Sequence, residues 1–152
     1  MTAPFATGGC QCGAVRYALR KAPFGADFCH CRMCQRAVGN VFAAYADLNI
    51  EDVVWTRGRP TVFQSSSLAE RGFCGACGTP LTYGPMDAPY LSVTIGSLDD
   101  PELVPIKVHH GAEAMVSWLA LNDGLPQRRT GDTPAAAEKY EAMVSHQSEA
   151  GG

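Results

Sequence analysis

The chain has no run of lysine and arginine, no apolar stretch near the length of a membrane span, and no low-complexity linker. Each absence removes a class of partner. With 12 basic residues against 15 acidic ones and a formal charge of −3, nothing continuous is offered to a phosphate backbone or an anionic bilayer. Neither nucleic acid nor a membrane is therefore expected as a partner. A spanning helix needs about 18 or more consecutive apolar residues, and no run approaches that. The opening stretch, Met1 to Gly9, lacks the basic and apolar regions of a secretory signal. A cytoplasmic location is the expectation, and thiols stay reduced there. Helical signals are also few.

What is present is glycine, proline and cysteine. Sixteen glycines and ten prolines in 152 residues imply frequent turns and short strands within one domain. Val15, Tyr17 and Leu19 alternate with Ala14, Arg16 and Ala18, so Gly13–Leu19 reads as a half-buried strand. Val41–Leu48 reads as a strand apolar on both faces, with Phe42 and Tyr45 as wall residues of a core or a pocket. Val53–Thr56 and Thr61–Gln64 flank Arg57-Gly-Arg-Pro60 and read as a hairpin. Arg71–Cys74 runs into a cysteine knuckle that Leu81–Tyr83 leaves, and such a knuckle can serve as a hairpin turn. Leu91, Val93 and Ile95 share one face of a strand over Tyr90–Ile95. Asp99 to Glu102 suits one short helical turn. The clearer helix is C-terminal: Thr133 caps, Pro134 opens it, Ala137, Tyr140 and Val144 recur at helical spacing, and it ends before Ala150. Trp55 and Trp118 are expected in the core. The sum is a mainly β, antiparallel, metal-held domain over 1–130, with a short peripheral helical extension over 131–152.

The seven cysteines fall in three groups: Cys10-x-Cys12, Cys29-x-Cys31-x-x-Cys34 and Cys74-x-x-Cys77. An odd number cannot all pair as disulfides, and the spacings suit zinc. Two pairs and a triplet suggest one closed four-thiolate site and one three-thiolate site with a free position, hence two Zn²⁺ per chain. The first would join distant parts of the chain and contribute to folding. The second, softer and less Lewis-acidic than a three-histidine site, suits an incoming thiol better than hydrolysis. Alternatives are a redox Cys-x-x-Cys pair, a second structural zinc completed by His30, His109 or a carboxylate, and free buried cysteines. In extended backbone His30 points away from the metal of its neighbours and reads as a hydrogen-bonding group.

These residues resemble the glutathione-dependent formaldehyde-activating enzyme (GFA) or CENP-V-like family. The likeness rests on Gly9-Cys-Gln-Cys-Gly-Ala-Val-Arg-Tyr17, on Phe28-Cys-His-Cys-Arg-Met-Cys34 with Gly39, and on Arg71-Gly-Phe-Cys-Gly-Ala-Cys-Gly-Thr-Pro-Leu81. It is echoed by Val93–Pro101 and Asp123–Pro126. It implies an Mss4-like β fold, a structural zinc on Cys10, Cys12, Cys74 and Cys77, and a catalytic zinc on Cys29, Cys31 and Cys34. The implied activity is that of a carbon–sulfur lyase or synthase joining glutathione to formaldehyde as S-hydroxymethylglutathione. Arg32 and Arg36, near the triplet in sequence, are candidates for the thiol's carboxylates, as is Arg71, which precedes the Cys74–Cys77 knuckle; His109 or His30 is the candidate for proton transfer. Gly111 stands where the family carries an aromatic residue, and Val116-Ser117 replaces Leu-Pro. The rival functions are a non-catalytic thiol-binding protein and a structural zinc protein. Edge strands of such a domain could pair into a homodimer.

Overall fold

The computed structural model describes residues 2–146. Ten strands and two helices are found among them: β1 (Ala6–Gly9), β2 (Arg16–Leu19), β3 (Gly25–Cys29), α1 (Arg32–Val38), β4 (Ala43–Asn49), β5 (Val53–Arg57), β6 (Thr61–Gln64), β7 (Ala69–Phe73), β8 (Pro80–Pro85), β9 (Tyr90–Thr94), β10 (Val108–His110) and α2 (Pro134–Glu141). The fold is mainly β, as the alternation and the turn residues predict. A three-stranded sheet has the order β1-β2-β5, and a seven-stranded sheet the order β10-β3-β4-β9-β8-β7-β6. Every pairing is antiparallel except β10 with β3.

The main core lies between the sheets. Tyr17 and Leu19 of β2 meet Ala46 and Leu48 of β4, Leu81 of β8 and Val93 of β9. Tyr17 also stacks edge-on against Trp55 at 5.8 Å and shares a 2.7 Å hydrogen bond with Ser97. Strand β4 is apolar on both faces because it serves two environments. Ala46 and Leu48 face this core, while Ala43 and Tyr45 pack with Cys34 in a second, smaller cluster. A side-chain period of two separates Tyr45 from Ala46. Phe42 precedes the strand and packs on Phe28, with ring centroids 4.6 Å apart, and on His30 at 5.5 Å.

Several elements differ from the sequence reading. β5 and β6 are not a hairpin: β5 pairs with β2, and β6 pairs with β7 in the other sheet. Val53 and Trp55 are drawn to the core, whereas all four residues of β6 are exposed, so the Arg57–Pro60 link crosses between sheets. Gly58 makes that crossing at φ 57°. Trp118 is 74% exposed rather than in the core. The first expected strand is shorter, because Gly13 turns at φ 79° and its amide donates to the Cys10 carbonyl at 3.1 Å.

Two helical details matter for the site. α1 is a seven-residue helix absent from the sequence reading; Cys31 caps it, its sulfur accepting from the Cys34 amide at 3.4 Å, and Gly39 ends it at φ 66°. Cysteine is not among the usual capping residues, so no cap signal is legible. α2 begins as expected, with Thr133 accepting from the Ala136 amide and Pro134 in the first turn, but it stops at Glu141, leaving Val144 outside it. The expected stop before Ala150 lies outside the described residues.

Candidate metal centres and the cavity beside them

Two hairpin-like knuckles bring four cysteines together. The first is the turn from Cys10 to Gly13. The second joins β7 to β8, where the amide of Gly78, at φ 78°, donates to the Cys74 carbonyl at 2.8 Å and the Cys74 amide donates to the Thr79 carbonyl at 3.0 Å. The sulfurs of Cys10, Cys12, Cys74 and Cys77 all lie within 4.8 Å of one another, with Cys10–Cys12 at 3.6 Å and Cys12–Cys74 at 3.8 Å. Four sulfurs at about 2.3 Å from one ion stand roughly 3.8 Å apart, so the cluster fits tetrahedral zinc. The surrounding donors favour thiolate at Cys10 and Cys77. The Val15 amide donates to Cys10 at 3.2 Å, and the Thr79 hydroxyl followed by its amide holds Cys77 down at about 5.

The second cluster sits where β3 meets α1. Cys29 ends the strand, and Cys31 and Cys34 lie one helical turn apart, so the three sulfurs are also within 4.8 Å of one another. Hydrogen bonds from Cys29 and then Cys34 pull Cys31 down to about 2, and the Arg71 charge adds to this. Cys29, the donor to Cys31, is pushed up. Arg71 reaches in from β7: it donates to the Cys34 sulfur at 3.5 Å, to the Tyr45 hydroxyl at 3.0 Å and to Ser65 at 3.2 Å, and its guanidinium lies over the Tyr83 ring at 5.0 Å. A divalent ion on three thiolates carries net charge −1, which Arg71 is placed to offset. The three sulfurs and this cation fit a zinc ion with a further position open to the cavity.

That cavity, of about 600 Å³, lies on the face of the large sheet opposite the main core. All three cysteines line it, with Tyr45, Arg71 and Tyr83; Phe42 does not. Asp27 and Asp47 line it farther along the sheet. Burial, then the charges of Asp47 and Cys31, push the Asp27 carboxyl up to about 7. The opposite wall comes from residues 128–143, including Arg128, Arg129, Lys139 and Tyr140. α2 is thus peripheral to the sheets yet borders the three-cysteine cluster. Lys139 ties it to Asp87 at 2.9 Å, and Val144 exchanges hydrogen bonds with Ser67.

Of the other residues singled out in the sequence, Arg32 lines the cavity, whereas Arg36 and His109 do not. His109 is fully buried and belongs to a chain of hydrogen bonds behind the cysteines. Its Nε2 lies 2.8 Å from Asp123, and its Nδ1 lies 2.8 Å from Nε2 of His30. If each ring carries its proton on Nε2, Asp123 accepts from His109 and His109 accepts from His30. His30 Nδ1 is then the unprotonated atom, and it is buried without a partner. Burial and then His109 hold His30 below its ordinary value. The chain holds the His30 ring, between Cys29 and Cys31, from behind the cluster, and His109 does not face the cavity. Gln35, without a signal in the sequence, holds the His30 backbone from α1, donating to the carbonyls of His30 at 2.9 Å and Ala114 at 3.1 Å.

The family model described as glutathione-dependent formaldehyde-activating enzyme matches residues 5–113. The chain belongs to that family. No curated protein matches it. Among solved structures, a Rhodobacter sphaeroides protein is 23% identical, with a TM-score of 0.49, over 80% of this chain and 98% of its own.

Proposed function

We propose that this member of the family is a zinc-dependent carbon–sulfur lyase or synthase that joins glutathione to formaldehyde and cleaves the adduct. The observation that carries the reading is the three-cysteine cluster opening into a cavity beside Arg71. Two zinc ions per chain are proposed: one on Cys10, Cys12, Cys74 and Cys77 to hold the fold, one on Cys29, Cys31 and Cys34. The second would supply a position that holds an incoming thiol as thiolate.

The chain's own residues do the rest. Cys29, Cys31 and Cys34 would hold the ion at the cavity wall, and Arg71 would offset the negative charge gathered there. Arg32, at the cavity wall, is placed to meet a carboxylate of the thiol. In the forward direction the thiol sulfur bonds to the aldehyde carbon, the carbonyl π bond opens, and its oxygen takes up the proton that the thiol released. No oxidant or reductant is needed. The walls of the cavity align thiol and aldehyde, the main source of acceleration for a reaction between two free molecules.

The test is NMR exchange spectroscopy on labelled formaldehyde with glutathione. Zinc-loaded protein is expected to speed exchange between aldehyde and adduct on the order of 10²-fold, and Cys31→Ser to return it to the uncatalysed rate. An unchanged rate with the zinc-loaded wild-type protein would remove this activity.

A further inference from the structure

Asp27 is 8% exposed, lines the cavity, and has no hydrogen bond or ion pair to its carboxylate among the described residues. Leaving a buried carboxylate without a partner is costly. Asp47 shares this end of the cavity, with one oxygen accepting from Ser92 at 2.6 Å. The two acids lie on neighbouring strands, where Asp27 pairs with Tyr45 and Gly25 with Asp47, so strand pairing places them diagonally on one face. Of the cavity's cations, Arg71 stands on β7 beside the cysteines, whereas Arg32, Arg128, Arg129 and Lys139 come from α1 and the 128–143 wall, which also carries Asp132. The cavity therefore offers a pair of acids at one end of the sheet and mostly cations at the facing wall.

We infer that Asp27 and Asp47 form a subsite for the primary ammonium group of the thiol substrate, and so select a thiol that carries one at a distance from its sulfur. This deepens the proposed function and rests on it for the position of the sulfur. Asp27 and Cys29 are two residues apart on one face of β3, about 7 Å along the strand. The amino group of a cysteine residue lies three bonds from its own sulfur and stays close to it, whereas the ammonium of a γ-glutamyl group attached to that cysteine lies eight bonds away and reaches farther along the strand. The arginines then meet the carboxylates that such a peptide carries.

The test is calorimetric binding to zinc-loaded protein, with zinc content and circular dichroism checked for each variant. The ligands are glutathione, glutaryl-Cys-Gly, which lacks only the ammonium, and S-methylglutathione, which keeps the ammonium but cannot coordinate as thiolate. Wild type is expected to bind glutathione about tenfold more tightly than glutaryl-Cys-Gly. In Asp27→Asn, and separately in Asp47→Asn, that preference should shrink. Equal binding of the two peptides by wild type, or no binding of any ligand, would overturn the subsite. If S-methylglutathione binds as tightly as glutathione and depends on Asp27, the subsite stands and the thiolate reading fails.

Discussion

A methyl group added at Gly111 would lie 2.8 Å from the Cys31 nitrogen and 3.2 Å from its Cα, and Gly111 itself sits at φ 63°. Both facts require glycine there. A left-handed conformation costs an L-residue about 1–2 kcal/mol, and the contact is with backbone that cannot swing aside. That position 111 is a glycine is visible in the sequence. Its meaning is not, because the partner is Cys31, far away along the chain. Gly111→Ala is expected to loosen the ion on Cys29, Cys31 and Cys34 while sparing the one on Cys10, Cys12, Cys74 and Cys77. Release of zinc to a chelator should show one fast and one unchanged phase. Two phases identical to wild type would contradict the role given to Gly111. Asp27 and Asp47 are illegible in the sequence for a similar reason: only strand pairing brings them to one cavity end.

Elements of the small sheet are tied to the rest by Asp99, which accepts from Arg16 of β2 and from Thr7 of β1. Arg16 and then Thr7 hold its carboxyl below the ordinary carboxylate value. A depressed carboxyl contributes stability that is present above its unfolded value and is lost as pH falls through the folded one. The pair is partly exposed, so about 0.5–1 kcal/mol is expected. Asp99→Asn should be less stable than wild type by that amount at pH 7, and the difference should vanish as acid titrates the carboxyl below 3.8. Paired urea melts across this range check it; a difference independent of pH would assign the loss to packing. Strand positions are legible because alternation is local. The expected β5–β6 hairpin fails because proximity in sequence and a turn-like Arg57–Pro60 do not reveal that the two strands join different sheets.

At the scale of the whole molecule, the two cysteine clusters occupy different places. Cys12 and Cys74 are 62 residues apart, and their cluster closes a long loop that links the small sheet to the β7–β8 hairpin. The other cluster lies beside the cavity, beneath a wall supplied by α2 and the segment before it. The grouping of the cysteines is legible because ligand spacing is short and local, while the wall is not: the helical spacing of Ala137 and Tyr140 announces α2 but not what it faces. Residues on both sides of the expected boundary at residue 130 supply that wall. The account turns on an open position at the three-cysteine cluster. Cobalt-substituted protein tests it directly through the thiolate-to-cobalt absorption band. Glutathione should strengthen that band in wild type and leave it unchanged in Cys31→Ser. A wild-type band that does not respond to glutathione would contradict the account.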